Sequence, residues 1–415
     1  MSVGGASVRG MYSVLAVAGY RSLRDVLVPL GRLTVITGAN GVGKSNLYRA
    51  LKLLADCGAG RVVSSLAREG GLSSALWAGP ATLGGARRGE AIQGTARAGP
   101  ISVRLGVAGE DLGYLVDLGL PPQSPESQGR SLFLRDPHLK REAIWSGPVM
   151  RPSTLIARRQ QGRVSFRDID GWSPAPVELP PHLSMLSEYA DPGRCPELWA
   201  VRADLAGWRF YDGFRVDAGA PSRRPQVGTF TPVLADDGAD LAAALQTILE
   251  EGRGRVGQHV ADAFDGARLE VVANDGLFDV QLHQRGMLRP LRAAELSDGT
   301  LRYLLWLAAL LTPTPPRLMV LNEPETSLHP ALLGPLARLI AEASGRSQVA
   351  VVTHSRPLVE ALADLRPGLL DDDPDPPGPG RLQEARLVEL TKDLGETKVC
   401  GQGLMSAPVW EWGRR

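Results

Sequence analysis

The stretch Gly38-Ala39-Asn40-Gly41-Val42-Gly43-Lys44-Ser45 lies between two different patterns of apolar residues. The preceding run, Leu33 to Thr37, is short and β-branched, which predicts a strand, whereas apolar residues after the stretch recur at helical spacing. Glycines in a loop between a strand and a helix let the backbone wrap a phosphate, with successive N–H groups pointing inward. This context predicts a phosphate-binding loop.

Lysine is scarce in this sequence, which gives the lysine of the loop more weight. Of the 46 basic residues only five are lysines, so a glycine-rich turn with an incidental lysine is the weaker interpretation. We expect Lys44 to neutralise the β- and γ-phosphates of ATP, and Ser45 to ligate Mg²⁺. ATP and Mg²⁺ are therefore the expected cofactors.

Two later apolar strands also end in polar residues. Leu318 to Leu321 leads into Asn322 and Glu323, and Val351 to Thr353 leads into His354. Because ligands bind at the carboxyl ends of parallel strands, Glu323 is our candidate to position or polarise the water that attacks the γ-phosphate. His354 is expected beside the same phosphate. The alternatives are a helix-capping or solvent-facing acid and a satisfied surface or core histidine.

The turn Ser297-Asp298-Gly299 precedes an apolar helix predicted over Thr300 to Leu311. Taken alone, the serine is an ordinary N-cap. Together with a phosphate-binding loop the turn gains a second interpretation, because N–H donors and a hydroxyl at a helix N-terminus suit a phosphate. Ser297 and Gly299 are therefore candidate nucleotide contacts.

In chain order, these motifs resemble those of ATP-binding-cassette (ABC) ATPases of the SMC and RecF type. The stretch from 38 to 45 resembles the Walker A loop, the turn from 297 to 299 resembles the signature, and the strand ending at Glu323 resembles Walker B. Ser327-Leu328-His329-Pro330 is similar to the D-loop, and His354 to the switch histidine. The RecF-like group of bacterial AAA-type ATPases also shares features similar to Gly19 to Leu23, Phe210-Tyr211 and Val409 to Trp412.

The resemblance implies that two heads sandwich two ATP molecules. Each site would then use Walker A of one subunit and the signature of the other, so that Ser297 and Gly299 act in trans in an ATP-dependent homodimer. The family usually has Asp where this sequence has Asn322, so the Mg²⁺ shell loses a negative charge while retaining an amide oxygen as a ligand. For the glutamine of the family's Q-loop, Gln93 is only a candidate.

The fold class implied is α/β, namely a P-loop NTPase head of the ABC type, similar to RecF and SMC heads. It would have a mainly parallel sheet, a β-rich and helical inserted region, and no coiled-coil arm. We place the N-terminal part of the head with Walker A at 1–60 and the inserted region at 61–290. The C-terminal part of the head follows at 291–370, an acidic, proline-rich linker at 371–380, and a final strand and tail at 381–415.

The composition excludes some classes of protein but does not identify the function. The net charge is +1, the three cysteines form no CxxC pair, and no uninterrupted run of 18 apolar residues occurs. We therefore expect a cytoplasmic protein without a membrane partner or a disulfide framework. Arginine clusters could contact a DNA backbone, although a solvated face is an equally good interpretation. The clusters comprise Arg151, Arg158, Arg159, Arg163 and Arg167, and then Arg285, Arg289 and Arg292.

The family resemblance implies an ATP-hydrolysing clamp or switch in DNA repair or recombination. An alternative is the sensor subunit of an anti-phage defence system that controls a separate nuclease or toxin. A nucleotide-binding scaffold with little turnover is a third interpretation, suggested by Asn322. DNA and an effector protein are thus the partners to be tested.

Overall fold

The structure is a computed structural model that describes residues 10–79, 102–121, 133, 135–252, 255–370, 384–403 and 406–413. Its strands in chain order are β1 (Tyr12–Tyr20), β2 (Leu23–Pro29), β3 (Leu33–Gly38), β4 (Ser102–Gly109), β5 (Leu112–Gly119), β6 (His138–Ser146), β7 (Leu155–Gln160), β8 (Arg163–Asp168), β9 (Gly171–Pro174), β10 (Arg209–Asp212), β11 (Gln226–Val227), β12 (Arg268–Asn274), β13 (Leu277–His283), β14 (Leu291–Arg292), β15 (Leu318–Asn322), β16 (Gln348–Val352), β17 (Ala385–Asp393) and β18 (Glu396–Val399). Its α-helices are α1 (Lys44–Gly58), α2 (Val62–Arg68), α3 (Leu72–Ala75), α4 (Met185–Glu188), α5 (Pro196–Gly207), α6 (Leu241–Glu251), α7 (Val256–Ala263), α8 (Asp298–Leu310), α9 (Leu333–Ser344) and α10 (Arg356–Leu365).

A six-stranded sheet in the order β10-β15-β16-β3-β17-β18 forms the centre of the head. Neighbouring strands are parallel up to β17, and β18 returns antiparallel to it. Strand β16 is buried at every position and β15 at all but its last, as expected for parallel strands covered on both faces. The carboxyl ends of β10, β15, β16 and β3 therefore lie along one edge, which we call the nucleotide edge.

A second, eight-stranded sheet is antiparallel throughout, in the order β2-β1-β4-β5-β6-β7-β8-β9. It includes the hairpin of β4 and β5. Helix α1 buries Leu47, Leu51 and Leu54 in a core shared with Leu15 of β1 and Ile36 of β3. Because one helix packs in the core of both sheets, the antiparallel sheet stabilises the helix that follows the phosphate-binding loop.

The third sheet is small and pairs β11, β12 and β14 with β13. Its β12–β13 hairpin turns at Asn274-Asp275-Gly276. Asn274 pairs with Leu277, so Asp275 and Gly276 form the two-residue turn, with φ of 48° and 77°. Such positive values suit the twist of a hairpin and favour an Asp-Gly pair. The sheet shares a second apolar core with α6, α7, α8 and α9.

The arrangement confirms the predicted α/β class with a largely parallel central sheet. Strand β10 lies in the predicted inserted region, 61–290, yet it is the outermost strand of the parallel sheet. The predicted linker at 371–380 and Gln93 lie outside the described residues. Within the described residues the longest helix, α1, has 15 residues, and none of their helices combines the length and apolarity needed to span a bilayer.

Candidate functional site

The predicted phosphate-binding loop connects β3 to α1 and depends on its glycines. Gly38, Gly41 and Gly43 have φ of 143°, 79° and 114°, a region that side chains disfavour. A Cβ on Gly38 would lie 2.5 Å from the carbonyl oxygen of Leu390. A Cβ on Gly41 would meet nothing within 4 Å among the described residues. The loop is therefore tightly packed at its start and open at its middle.

Lys44 begins helix α1, and its side chain folds back over the loop. Its Nζ donates to the carbonyls of Gly38 at 2.7 Å and Ala39 at 3.1 Å, and the residue is only 6% exposed. Ser45, the next residue, is exposed. The first N–H groups of a helix have no partner within the helix, so a buried cation, free N–H donors and a hydroxyl converge here. Such a cradle suits a triphosphate.

A hairpin far along the chain braces this loop. Lys392 of β17 donates to the carbonyl of Gly41 at 3.0 Å, and Thr397 of β18 donates to that of Val42 at 2.5 Å. The Thr397 hydroxyl also lies 2.7 Å from the hydroxyl of Ser22, in the turn between β1 and β2. Lys392 and Thr397 could not be identified from local sequence patterns, because they are separated from the loop by more than 300 residues.

Strand β15 ends with Asn322, and the next residue turns sharply. The Asn322 side-chain N–H group donates to Asp212 Oδ1 at 2.7 Å. Its Oδ1 is buried, with no hydrogen-bond partner among the described residues. Glu323 has a φ of 47°, which is unfavourable for a residue with a side chain. Its backbone N–H donates to the Val352 carbonyl at 2.7 Å. This bond ties the turn to the end of β16.

Glu323 and His354, both predicted to act at the γ-phosphate, lie next to each other. His354 Nδ1 is 3.5 Å from Glu323 Oε1 and 3.6 Å from Glu325 Oε1. Glu325 is 9% exposed, and its Oε1 accepts from the Thr353 hydroxyl at 2.5 Å and from the His354 N–H at 3.3 Å. Glu325 was not among the predicted site residues, yet this buried carboxylate contacts His354.

These side chains open into a cleft of about 500 Å³. It is lined by the Walker B turn, the predicted D-loop and the end of β16, including Glu323, Glu325, Thr326, Ser327, His354 and Ser355. The hydroxyls, the histidine and the partly exposed Glu323 provide polar groups that can contact a phosphate or a water molecule. The cleft is therefore suited to the chemistry predicted for Glu323 and His354.

The predicted signature turn forms the N-terminus of α8. Ser297 is the N-cap and accepts from the Thr300 N–H at 3.2 Å. Within a single protomer, its hydroxyl therefore acts as a helix cap. The turn is held by Arg223, which donates to the Leu296 carbonyl at 2.7 Å and pairs with Asp298 at 2.5 Å. Ser297 and Asp298 remain exposed on the surface.

Arg302 connects α8 with the nucleotide edge. It donates to the carbonyls of Thr326 at 2.6 Å and Phe214 at 3.3 Å, which follow β15 and β10 respectively. Partial burial lowers the pKa of Arg302, and the nearby Asp298 opposes that shift. Arg302 therefore links α8 to the segment that follows Glu323.

The described residues fit Mg²⁺ and ATP on three structural grounds. The middle of the glycine loop is open, the Lys44 ammonium lies against the start of the loop, and the Asn322 carbonyl oxygen is buried with no hydrogen-bond partner among the described residues. Buried acceptors in native proteins nearly always have a partner, and amide and hydroxyl oxygens are Mg²⁺ ligands. Ser45 and Asn322 are therefore the side chains that would hold the metal.

The arginine cluster in the middle of the chain needs one correction. Arg159 is 0% exposed and pairs with the equally buried Glu142 at 3.1 Å, so it cannot contact DNA. Arg158, on the opposite face of β7, lies over the ring of Trp172 and lines a cavity of about 1120 Å³ with Arg163. None of the predicted ATP-binding residues lines that cavity.

The fold and the residues at the nucleotide edge together define a P-loop ATPase head of the ABC/SMC type. Residues 33–360 match the family described as "AAA domain, putative AbiEii toxin, Type IV TA system". This range covers most of the chain, which therefore belongs to that AAA family. Proteins of such families are typically nucleotide-binding ATPases. Among curated proteins no sequence match was found.

The fold is similar to that of a solved SMC head. The SmcHead bound to the C-winged helix domain of ScpA aligns with 15% identity and a TM-score of 0.50, over 94% of this chain and 96% of that chain. The SMC head domain from Thermotoga maritima aligns with 15% identity and a TM-score of 0.44, over 95% of this chain and 100% of that chain. At this identity the first alignment supports the fold alone.

Proposed function

We propose that this chain binds and hydrolyses ATP and acts as an ATP-driven dimeric clamp or switch in DNA repair or recombination. The observation that supports hydrolysis best is the convergence at the nucleotide edge. Three parallel strands end there in the glycine loop, in Asn322 and Glu323, and in His354. A phosphate cradle beside a carboxylate and a histidine is the arrangement that phosphoryl transfer to water requires.

Each residue has a distinct role in this proposal. Lys44 and the N–H groups of the loop from Gly38 to Ser45 bind the β- and γ-phosphates. Glu323 accepts a hydrogen bond from the attacking water, and His354 contacts the γ-phosphate. Mg²⁺, held by Ser45 and Asn322, would offset the negative charge of the phosphates. Water attacks the γ-phosphorus as the bond to the ADP oxygen breaks, leaving ADP and phosphate.

The exposed signature turn supports a two-fold dimer. Ser297 and Gly299 lie at the N-terminus of the 13-residue helix α8, where N–H donors and the helix dipole favour an anion. In the proposed dimer they complete the phosphate cage that is built by Lys44 of the partner. A two-fold axis makes the two sites equivalent.

The variant Glu323→Gln tests the proposed hydrolysis. Glutamine keeps the shape of the side chain but is a poor acceptor for the water proton, so hydrolysis should fall by about 100-fold or more. ATP binding should persist, and ATP-bound dimers should accumulate, as measured by phosphate release and light scattering. The control is Glu360→Gln on α10, an exposed acid paired with Arg356. Turnover by Glu323→Gln at the wild-type rate would reject the assignment.

A second candidate function is a sensor subunit of an anti-phage defence system that controls a separate nuclease or toxin. It is favoured by the family description, which refers to a toxin and a toxin–antitoxin system. DNA that stimulates hydrolysis at low salt, and less as salt rises, would support the clamp because phosphate contacts release counterions. No stimulation by DNA, together with an effector that alters turnover, would support the sensor.

A further inference from the structure

Asp212 and Asn322 end two neighbouring strands at the nucleotide edge. Strands β10 and β15 are parallel, and these residues are partners in the register. The side-chain N–H group of Asn322 donates to Asp212 Oδ1 at 2.7 Å. Asp212 is exposed, whereas Asn322 is half-buried. A carboxylate therefore lies immediately beside the amide that occupies the predicted metal position.

The hydrogen bond fixes which end of the Asn322 amide is free. A carboxylate only accepts hydrogen bonds, so the NH₂ group must face Asp212 and the carbonyl oxygen must point elsewhere. That oxygen is buried and has no partner among the described residues. Leaving a buried acceptor unsatisfied costs roughly 1–3 kcal/mol. A cation at this oxygen would remove the cost.

The surroundings of Tyr48 place Asp212 on the phosphate-binding side of α1. Tyr48 follows Ser45 by three residues, so the two side chains share one face of the helix. The Tyr48 ring packs against Phe210 of β10 at 5.7 Å. Burial raises the pKa of the Tyr48 hydroxyl, and the charge of Asp212 raises it further. The ends of β10 and β15 thus converge with the first turns of α1.

We propose that Asp212 compensates for the amide at position 322. Asp212 carries the negative charge that Asn322 lacks, and its hydrogen bond holds the Asn322 carbonyl oxygen toward the Mg²⁺ of bound ATP. The ligand and the charge are therefore divided between two residues: Asn322 supplies the oxygen ligand, and Asp212 on the neighbouring strand supplies the negative charge. This inference rests on the proposed binding of Mg-ATP, and Asp212 is a positioning residue in it.

The test is to exchange the two side chains. Asp212→Asn should weaken Mg²⁺-dependent ATP binding by roughly 10-fold, because partners that orient a metal ligand typically contribute 10- to 100-fold in metal affinity. The double variant Asp212→Asn with Asn322→Asp restores one carboxylate and one amide to the pair. Its Mg²⁺-dependent ATP affinity should return to within about threefold of the wild-type value, because the two positions act together.

Calorimetric titration of ATP is carried out with Mg²⁺ and with EDTA, and the Mg²⁺ concentration at half-maximal binding is recorded. The matched control is Asp217→Asn, an exposed acid beyond the same strand that pairs with Arg215. Chemical denaturation without nucleotide shows whether each variant is folded. If Asp212→Asn is not folded, Asp212→Glu provides a second variant that keeps the negative charge. With Asp212→Glu, near-wild-type Mg²⁺ dependence is expected, and a loss as large as that of uncharged variants would overturn the role of charge.

The outcomes separate this inference from the proposed function. If the wild-type protein fails to bind ATP at all, the proposed function is wrong. If the wild type binds Mg-ATP but Asp212→Asn keeps the same Mg²⁺ dependence, only the inference is wrong. A double variant that is as impaired as the single one, although it is folded, would also overturn the inference.

Discussion

Two groups of buried polar residues in this molecule differ in whether their hydrogen bonds are complete. In the antiparallel sheet, both oxygens of Glu142 have partners. One accepts from Tyr114 at 2.9 Å and Ser184 at 2.5 Å, and the other accepts from Arg159 at 3.1 Å and the Met185 N–H at 2.9 Å. This buried ion pair with its hydrogen bonds is satisfied within the chain, as a structural network must be.

The nucleotide edge is incomplete by comparison. Asn322 Oδ1 and Glu325 Oε2 are buried without a partner among the described residues, and Glu323 has a left-handed backbone. Unsatisfied acceptors and local strain cluster where a ligand supplies the missing contacts. The difference separates residues that stabilise the fold from those that we propose bind Mg-ATP. Substitutions in the first group should lower stability, and substitutions in the second should lower ATP affinity.

The largest effect on stability is expected for Arg159→Ala in the satisfied group. It leaves the Glu142 carboxylate buried without its countercharge, which should lower the free energy of unfolding by about 3–5 kcal/mol. Chemical denaturation measures the loss, and ATP affinity of the remaining folded protein should be unchanged. Arg163→Ala is the control, because its pair with Glu178 is exposed and should contribute at most about 1 kcal/mol. Equal stability of the two variants would refute the comparison.

At the nucleotide edge, Lys44→Ala should lower ATP affinity and leave stability nearly unchanged. Removal of the ammonium deprives the phosphates of a charged donor, so ATP affinity measured by calorimetry should fall by about 100-fold. Stability without nucleotide should change little, since Lys44 bonds only two loop carbonyls among the described residues. Lys52→Ala, an exposed lysine two turns further along α1, is the matched control. Unchanged affinity of Lys44→Ala would reject the phosphate-loop assignment.

The sequence predicted the parts of the candidate site that are local. The glycine loop and the polar ends of β15 and β16 are each contained in a few consecutive residues, next to apolar runs that identify the strands. Asp212 was missed because β10 is only four residues long and lies in a stretch interpreted as an insertion. Its importance depends on pairing with Asn322, 110 residues away, which no local pattern reveals.

Arg159 was misassigned although the sequence held a usable signal. In β7, Ala157 and Arg159 are buried while the intervening Arg158 is partly exposed. Side chains alternate between the faces of a strand, so an arginine in phase with a buried alanine points inward. The prediction treated the arginines as one basic face and did not use this alternation.

If two chains build each ATP site, mixing two inactive variants should restore ATP turnover. Lys44→Ala removes one half of a site, and Ser297→Arg blocks the other by bulk and lost hydrogen bonding. A mixed dimer has one site with both defects and one site with neither. If subunits exchange randomly, an equal mixture should recover roughly a quarter of wild-type sites, measured as ATP turnover.

Ser297→Asp distinguishes the trans role from the capping role, because aspartate caps a helix as well as serine does but repels a phosphate. We expect Ser297→Arg and Ser297→Asp to be folded, inactive alone, and active when mixed with Lys44→Ala. Wild-type turnover by Ser297→Arg on its own would contradict this expectation, since Ser297 would then be only a helix cap.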